Sequence, residues 1–254
     1  MNQTAAIDPA TTEDWLLNGQ VRFHQPATGY RVAIDPILLA AAVPAIAGEV
    51  ALELGSGTGA ASLCLHHRVR DCRIIGLEND ADMLELACDN ARLNDVGDRV
   101  AFVYGDVASP PAEIAAHSFD HVFSNPPYLQ PARADGRTDS HVQRDAANIE
   151  NSVGLSGWIE AMVAAVKPKG RLTMIHRADR LDELLSELRR HAGGIVVFPL
   201  WPKTGRPAKR VLISARFGVA SPLRIAPGLV LHEDSGAYTG ATRAVLENAA
   251  PLVI

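Results

Sequence analysis

The chain has 254 residues, 47% hydrophobic and 21% charged, which is the balance of a globular protein and excludes global disorder. At roughly 150 residues per domain, this length predicts one large domain or two small ones. The formal net charge is −5, and the three cysteines, Cys64, Cys72 and Cys88, form no C-x-x-C pair; they fit a reduced compartment and not a disulfide framework.

The opening residues, M-N-Q-T-A-A-I-D-P, have neither the basic region nor the apolar core of a signal peptide. The longest apolar run, Ile37 to Val43, stops at Pro44, far short of the roughly 20 residues of a membrane span. The reading is a soluble cytoplasmic protein with no membrane partner. Residues 1–20 read as an N-terminal arm, with Trp15, Leu16 and Leu17 as anchors. Residues 21–254 read as a single domain.

Strand and helix patterns then alternate. An apolar helix from Ile34 to Val43 starts at Asp35-Pro36, a proline in the first turn being a start signal. Val50 to Leu54 reads as a buried strand and 58–68 as a helix. Arg73 to Leu77 is a second strand, followed by a helix over 80–93. Val100 to Tyr104 and His121 to Ser124 are the third and fourth strands. A helix over Gly157 to Val166 leads to a fifth strand, Arg171 to Ile175, and a helix follows over Asp179 to His191. Ile195 to Leu200 and Arg210 to Arg216 complete the set. This alternation predicts an α/β, Rossmann-like sheet of seven strands, mostly parallel, with helices on both faces. The last connection is too short for a helical crossover, so the last strand is antiparallel. Residues 129–152 are long, polar and weakly periodic, and read as an inserted loop. Two short apolar stretches, Leu223 to Ala226 and Leu229 to His232, precede a final helix from about Thr239.

Charge is unevenly placed. Between Glu187 and Glu233 there is no acid, while Arg189, Arg190, Lys203, Arg206, Lys209, Arg210, Arg216 and Arg224 give the segment +8. A local basic surface can hold phosphates on an acidic protein; a solvated face is the plainer alternative.

The first strand ends in E-L-G-S-G-T-G, Glu53 to Gly59. Gly55, Gly57 and Gly59 let the backbone turn sharply, and a ligand can approach where no Cβ stands. Ser56 lies between the first two. Residues 55–60 also satisfy the dinucleotide pattern G-x-G-x-x-A, so an NAD site fits the spacing as well. Glu78 ends the second strand, before Asn79, and a carboxylate there can accept both hydroxyls of a ribose. Asp106 and Val107 follow the third strand.

After the fourth strand comes Asn125-Pro126-Pro127-Tyr128. The prolines fix two φ angles and remove two backbone donors. The turn that remains presents acceptors, the Asn125 side-chain oxygen and the Pro126 carbonyl, beside the aromatic Tyr128. Such a set suits a planar –NH2 on a conjugated ring or carbonyl. Acceptors aimed at its hydrogens favour the positive charge that develops as a methyl group arrives, and alignment supplies the rest. No metal is expected; His66 and His67 are adjacent and cannot face one ion from a helix.

Glu53 with the glycine series resembles the first motif of class I S-adenosylmethionine-dependent methyltransferases. The N-P-P-Y tetrapeptide resembles the mark of those acting on adenine N6, cytosine N4 or a glutamine amide. The segment Phe23 to Ala40 is similar to the helix that precedes the first strand in the bacterial tRNA adenine-N6 methyltransferases that modify a valine tRNA. The resemblance spans about residues 20–250 in order. It implies S-adenosylmethionine as cofactor, S-adenosylhomocysteine as product, and RNA, a tRNA first, as partner. It implies cofactor contacts from Glu53, Gly55, Ser56, Gly57, Gly59, Glu78, Asn79, Asp106, Val107 and Asn125, with Arg31 and Asp35 over the methionine end. RNA would use Lys203, Arg206, Lys209 and Arg210. The alternatives are a glutamine N-methyltransferase acting on a protein factor, which is expected to carry an N-terminal helical domain, and a small-molecule O-methyltransferase, which needs a metal or a catalytic base in place of N-P-P-Y. An NAD-dependent oxidoreductase leaves N-P-P-Y idle.

Overall fold

A computed structural model describes residues 11–28, 31–127 and 153–254. Tyr128 and the expected inserted loop lie outside the described residues, as do residues 1–10.

The chain opens with an antiparallel hairpin, β1 (Thr11–Leu16) and β2 (Val21–Pro26). Residues 11–20, expected as part of an arm, are therefore ordered into the fold. The Asn18-Gly19 turn explains it: Leu17, Asn18 and Gly19 all have positive φ, the conformation that Asn-Gly pairs adopt at hairpin tips. Leu16 and Leu17 are buried, but Trp15 is 54% exposed and does not anchor the segment. Its ring faces water under the Arg22 guanidinium, 5.6 Å from the centroid.

The order continues α1 (Asp35–Ala42), β3 (Val50–Leu54), α2 (Ala60–Arg68), β4 (Arg73–Glu78), α3 (Ala81–Leu93), β5 (Val100–Tyr104) and β6 (Phe119–Ser124). Then come α4 (Gly154–Ala165), β7 (Val166–Arg177), α5 (Leu181–Leu188), β8 (Ala192–Trp201) and β9 (Arg210–Phe217). Two-residue strands β10 (Arg224–Ile225) and β11 (Leu229–Val230) precede α6 (Gly240–Asn248). The caps follow the sequence. Asp80 accepts from the amides of Asp82 and Met83 at the start of α3, and Thr239 accepts from Thr242 at the start of α6.

The described strands of the main sheet run β10-β8-β9-β7-β6-β3-β4-β5, with β11 also on β8. All seven expected strands are present. β5, β4, β3, β6 and β7 are parallel, and β9 runs antiparallel to both β7 and β8. The sheet gains β10 and β11 beyond expectation; each is too short to carry a period of its own. Apolar cores form on both faces. One packs α1, α2 and α6 with the inner residues of the hairpin, Leu17, Val21 and Phe23; the other packs α4 and α5. α1 is buried along nearly its whole length, Pro36 to Ala42, as an all-apolar helix must be.

β3 lies between β4 and β6, so the order of strands reverses there. In open α/β sheets ligands bind at the carboxyl ends of the strands beside such a switch.

Candidate active site

The turn after β3 is held residue by residue. The amides of Gly55 and Ser56 both donate to the Leu77 carbonyl of β4, at 2.9 and 3.0 Å. Gly57 donates to Glu78 Oε2 at 2.6 Å. The Thr58 carbonyl accepts from Asn90 Nδ2 at 3.0 Å, and Gly59 donates to the Ser56 carbonyl at 2.9 Å. Gly55, Gly57 and Gly59 all have positive φ, which explains the residue type. Gly55 and Gly59 also lie against aromatic rings. A Cβ at 55 would stand 2.7 Å from Trp158 of α4, and one at 59 would stand 2.6 Å from Phe102 of β5. A Cβ at Gly57 would meet nothing within 4 Å, so the backbone there fronts open space.

Two carboxyl groups flank the turn. Glu53 is buried and accepts from the Ser62 amide at 3.0 Å and its hydroxyl at 2.6 Å, both on Oε2; it thereby ties β3 to the first turn of α2. Burial pushes its carboxyl up to about 8, against the Ser62 hydrogen bonds. Glu78 accepts from Asn79 and Asp80 on Oε1, each at 3.0 Å. Burial raises its carboxyl too, opposed by these amides and that of Gly57. Asp106 caps its own turn by accepting from the Ala108 amide at 2.8 Å, while Val107 is buried.

Ser124 donates from Oγ to the Leu54 carbonyl at 2.8 Å, locking the ends of β6 and β3, where Leu54 pairs with Ser124. Asn125 therefore follows Ser124 at the switch point, just as Gly55 follows Leu54. Pro126 is buried. Tyr128 lies outside the described residues.

Glu53, Gly55, Ser56, Gly57, Gly59, Glu78, Asn79, Asp106, Val107, Asn125, Pro126 and Pro127 thus stand at the carboxyl ends of four neighbouring strands, as expected. Arg31 and Asp35 carry protein partners. Arg31 donates to Asp14 Oδ2 at 2.7 Å and to Thr12 at 3.0 Å, which ties it to the hairpin. Asp35 Oδ2 accepts from Arg210 Nε at 3.1 Å. Arg210, expected as an RNA contact, is therefore half-buried and bonded across from β9 to the start of α1. Lys203 donates to the Asp234 carbonyl at 2.9 Å. Arg206 and Lys209 are exposed, with no carboxylate partner among the described residues. All four lie at or after the carboxyl end of β8, at the same end of the sheet as the glycine turn. His176, at the end of β7, is fully buried, and burial pushes its imidazole down to about 4.

Sequence reasoning missed Asn90, Phe102 and Trp158, which seat the turn. Asn90 was findable as a polar residue on the inward face of α3. The two aromatic residues carry no local signal.

The fold is Rossmann-like, and the pinned glycine turn and Asn125-Pro126-Pro127 meet at the β3–β6 switch. The profile of a family described as "Methyltransferase domain" matches residues 46–197. A relative from Porphyromonas gingivalis, named tRNA1(Val) (adenine(37)-N6)-methyltransferase, is 33% identical over 65% of this chain and 66% of its own length. The chain thus matches just under two thirds of that relative. One of the same name from Actinobacillus succinogenes is 27% identical over 76% of this chain and 80% of its own. A solved structure from Agrobacterium tumefaciens, described as a predicted O-methyltransferase, superposes with a TM-score of 0.71 at 24% identity, covering 86% of this chain and 98% of that one. The chain belongs to the methyltransferase-domain family, and with it to the S-adenosylmethionine-dependent methyltransferases.

The site fits that cofactor on its own geometry. Ser56 Oγ is buried with no hydrogen-bond partner among the described residues, Gly57 fronts open space, and Glu78 stands at the end of the neighbouring strand. A ligand with hydroxyls and a polar amino-acid end satisfies this set.

Proposed function

We propose that the protein methylates the exocyclic N6 of an adenine in structured RNA, a tRNA first, with S-adenosylmethionine as donor. The observation that carries this reading is the placing of Asn125-Pro126-Pro127 at the switch point, directly beside the glycine turn. The names of the tRNA-modifying relatives support the same acceptor. An enzyme of tRNA works in the cytoplasm, and no described helix is long and apolar enough to cross a membrane.

In this reading Glu78 accepts from the ribose hydroxyls, Ser56 and the backbone at Gly55, Gly57 and Gly59 face the cofactor, and Asn79, Asp106 and Val107 border its adenine. Bound S-adenosylmethionine supplies an electrophilic sulfonium methyl. Asn125 Oδ1 and the Pro126 carbonyl accept from the target amine and hold its lone pair toward that methyl. They favour the charge that develops on nitrogen, and fixing both reactants side by side removes the entropy of their encounter. Pro127 keeps the acceptor turn rigid, and Tyr128 offers a stacking face to a base taken out of its stack. Lys203, Arg206 and Lys209 contact phosphates, while Arg210 supports them through Asp35. Arg31 and Asp35 border the methionine end through the hairpin and α1.

Incubation with radiolabelled S-adenosylmethionine and, separately, bulk tRNA from a strain lacking this protein and a total protein extract tests the acceptor. Label in tRNA supports the reading; label confined to protein glutamine overturns it.

A further inference from the structure

The hairpin and the glycine turn meet at one side chain. Asn90, on α3, is fully buried. Its Oδ1 accepts from the His24 amide at 2.6 Å, and its Nδ2 donates to the His24 carbonyl at 2.9 Å and the Thr58 carbonyl at 3.0 Å. Both donors of the amide are thus used. One turn further, at the C-terminal cap of α3, Asn94 repeats half of this arrangement. Its Oδ1 accepts from the Arg22 amide at 3.0 Å, and its Nδ2 donates to the Arg22 carbonyl at 2.7 Å and to the Asn90 carbonyl at 2.8 Å. Four residues of helix rise about 6 Å and two residues of strand about 6.6 Å. The spacing lets two asparagines on one helix face serve alternate residues of β2 in place of a third strand.

Among the described residues, the side-chain hydrogen bonds of Asn94 reach only Arg22 of the hairpin and Asn90 of α3. Asn90 touches the turn as well, at Thr58, between the two positive-φ glycines Gly57 and Gly59. Thr58 is itself buried, so its carbonyl has little water to fall back on, and losing the amide leaves it unsatisfied.

We infer that Asn90 is a positioning residue that couples docking of the β1–β2 hairpin to the shape of the glycine turn, so that cofactor binding and hairpin order reinforce each other. Such a coupling is reciprocal: a ligand that fixes the turn tightens the hairpin, and a docked hairpin raises affinity for that ligand. The inference rests on the reading of the turn as the S-adenosylmethionine site.

S-adenosylhomocysteine serves as the probe, since it needs no acceptor. In the wild-type protein, saturating S-adenosylhomocysteine slows hydrogen exchange about tenfold at the His24 amide and in the same sense at Arg22, since both dock β2 on α3. Asn90→Ala weakens S-adenosylhomocysteine about tenfold, the scale of an ordinary coupling between two sites, and raises the cofactor's KM more than it lowers kcat. Asn94→Ala loosens the hairpin but keeps the Asn90–Thr58 bond, and it weakens the affinity less than Asn90→Ala does. Unchanged exchange at His24 overturns the inference, and so does unchanged affinity in a folded Asn90→Ala protein. Equal losses in the two variants also overturn it, because a merely looser hairpin would then account for both. A wild-type protein that does not bind the probe overturns the cofactor reading, and this inference with it.

Discussion

Gly55 lies against the indole of Trp158, which leaves 2.7 Å between the place of a Cβ at 55 and the ring's Cη2. The contact joins the glycine turn to α4, the first described helix after the Asn125-Pro126-Pro127 turn. Gly55→Ala meets both a clash and a positive φ of 68°, the second alone costing about 1–2 kcal/mol. Trp158→Ala removes a buried ring, at about 3–5 kcal/mol. Both variants are expected to lower the melting temperature and weaken S-adenosylhomocysteine, read by thermal unfolding and calorimetry. Gly57→Ala has free room at its Cβ, so it is expected to bear the backbone strain alone and lose less stability than Gly55→Ala.

Stability of the ligand-free protein should fall with rising pH above neutrality. The Glu53 carboxyl ionises near 4.5 when unfolded and near 8 in the fold, so the folded state holds an extra proton between those values. Stability contributed by this group is present below 4.5 and is lost as pH rises to about 8, by at most about 1.4 kcal/mol per pH unit. His176 acts in the opposite sense. Its folded value near 4, against 6.5, makes stability rise with pH between those limits. The two oppose one another up to pH 6.5, above which His176 no longer offsets Glu53; Glu78, whose carboxyl burial also raises, acts in the same sense as Glu53. Glu53→Gln keeps an acceptor for Ser62 and should flatten the decline from 6.5 to 8. Urea unfolding at intervals across this range reads it; an unchanged slope in the variant assigns the decline to another group.

The basic loop after β8 divides by partner. Arg206 and Lys209 are exposed, while Arg210 is bonded to Asp35. Replacing Lys203, Arg206 and Lys209 by Ala is expected to weaken tRNA binding and reduce the steepness of its salt dependence by roughly one unit for each phosphate no longer neutralised. Arg210→Ala is expected to act chiefly on stability. Filter binding from low to high salt, beside thermal unfolding of each variant, separates the two roles.

Much of the sheet was legible because its strands carry buried runs and its turns carry glycines and prolines, which act on the local backbone. Glu53 to Gly59 and Asn125 to Pro127 mark their own positions for that reason. The hairpin was not read from the sequence, where residues 1–20 were expected as an arm, although part of its signal is there. Asn18-Gly19 and the alternation at Val21 and Phe23 announce it, but β1 reads T-T-E-D-W-L, with no buried alternation to match. Trp158 and Phe102 were beyond reach because their partners are distant in sequence and met only through the fold. Arg210 misled for the same reason: its charge is local, while its partner Asp35 lies 175 residues away.

The most direct test of the account is nucleoside analysis of unmodified tRNA after incubation with S-adenosylmethionine and either wild-type protein or Asn125→Ala. The account predicts N6-methyladenosine with the wild type, and about a hundredfold or greater loss of the transfer rate in the variant, the scale of removing one preorganised group that stabilises the transition state, with S-adenosylhomocysteine affinity kept. Equal rates in the two proteins, or methyl groups found on a nucleoside other than adenosine, would contradict it.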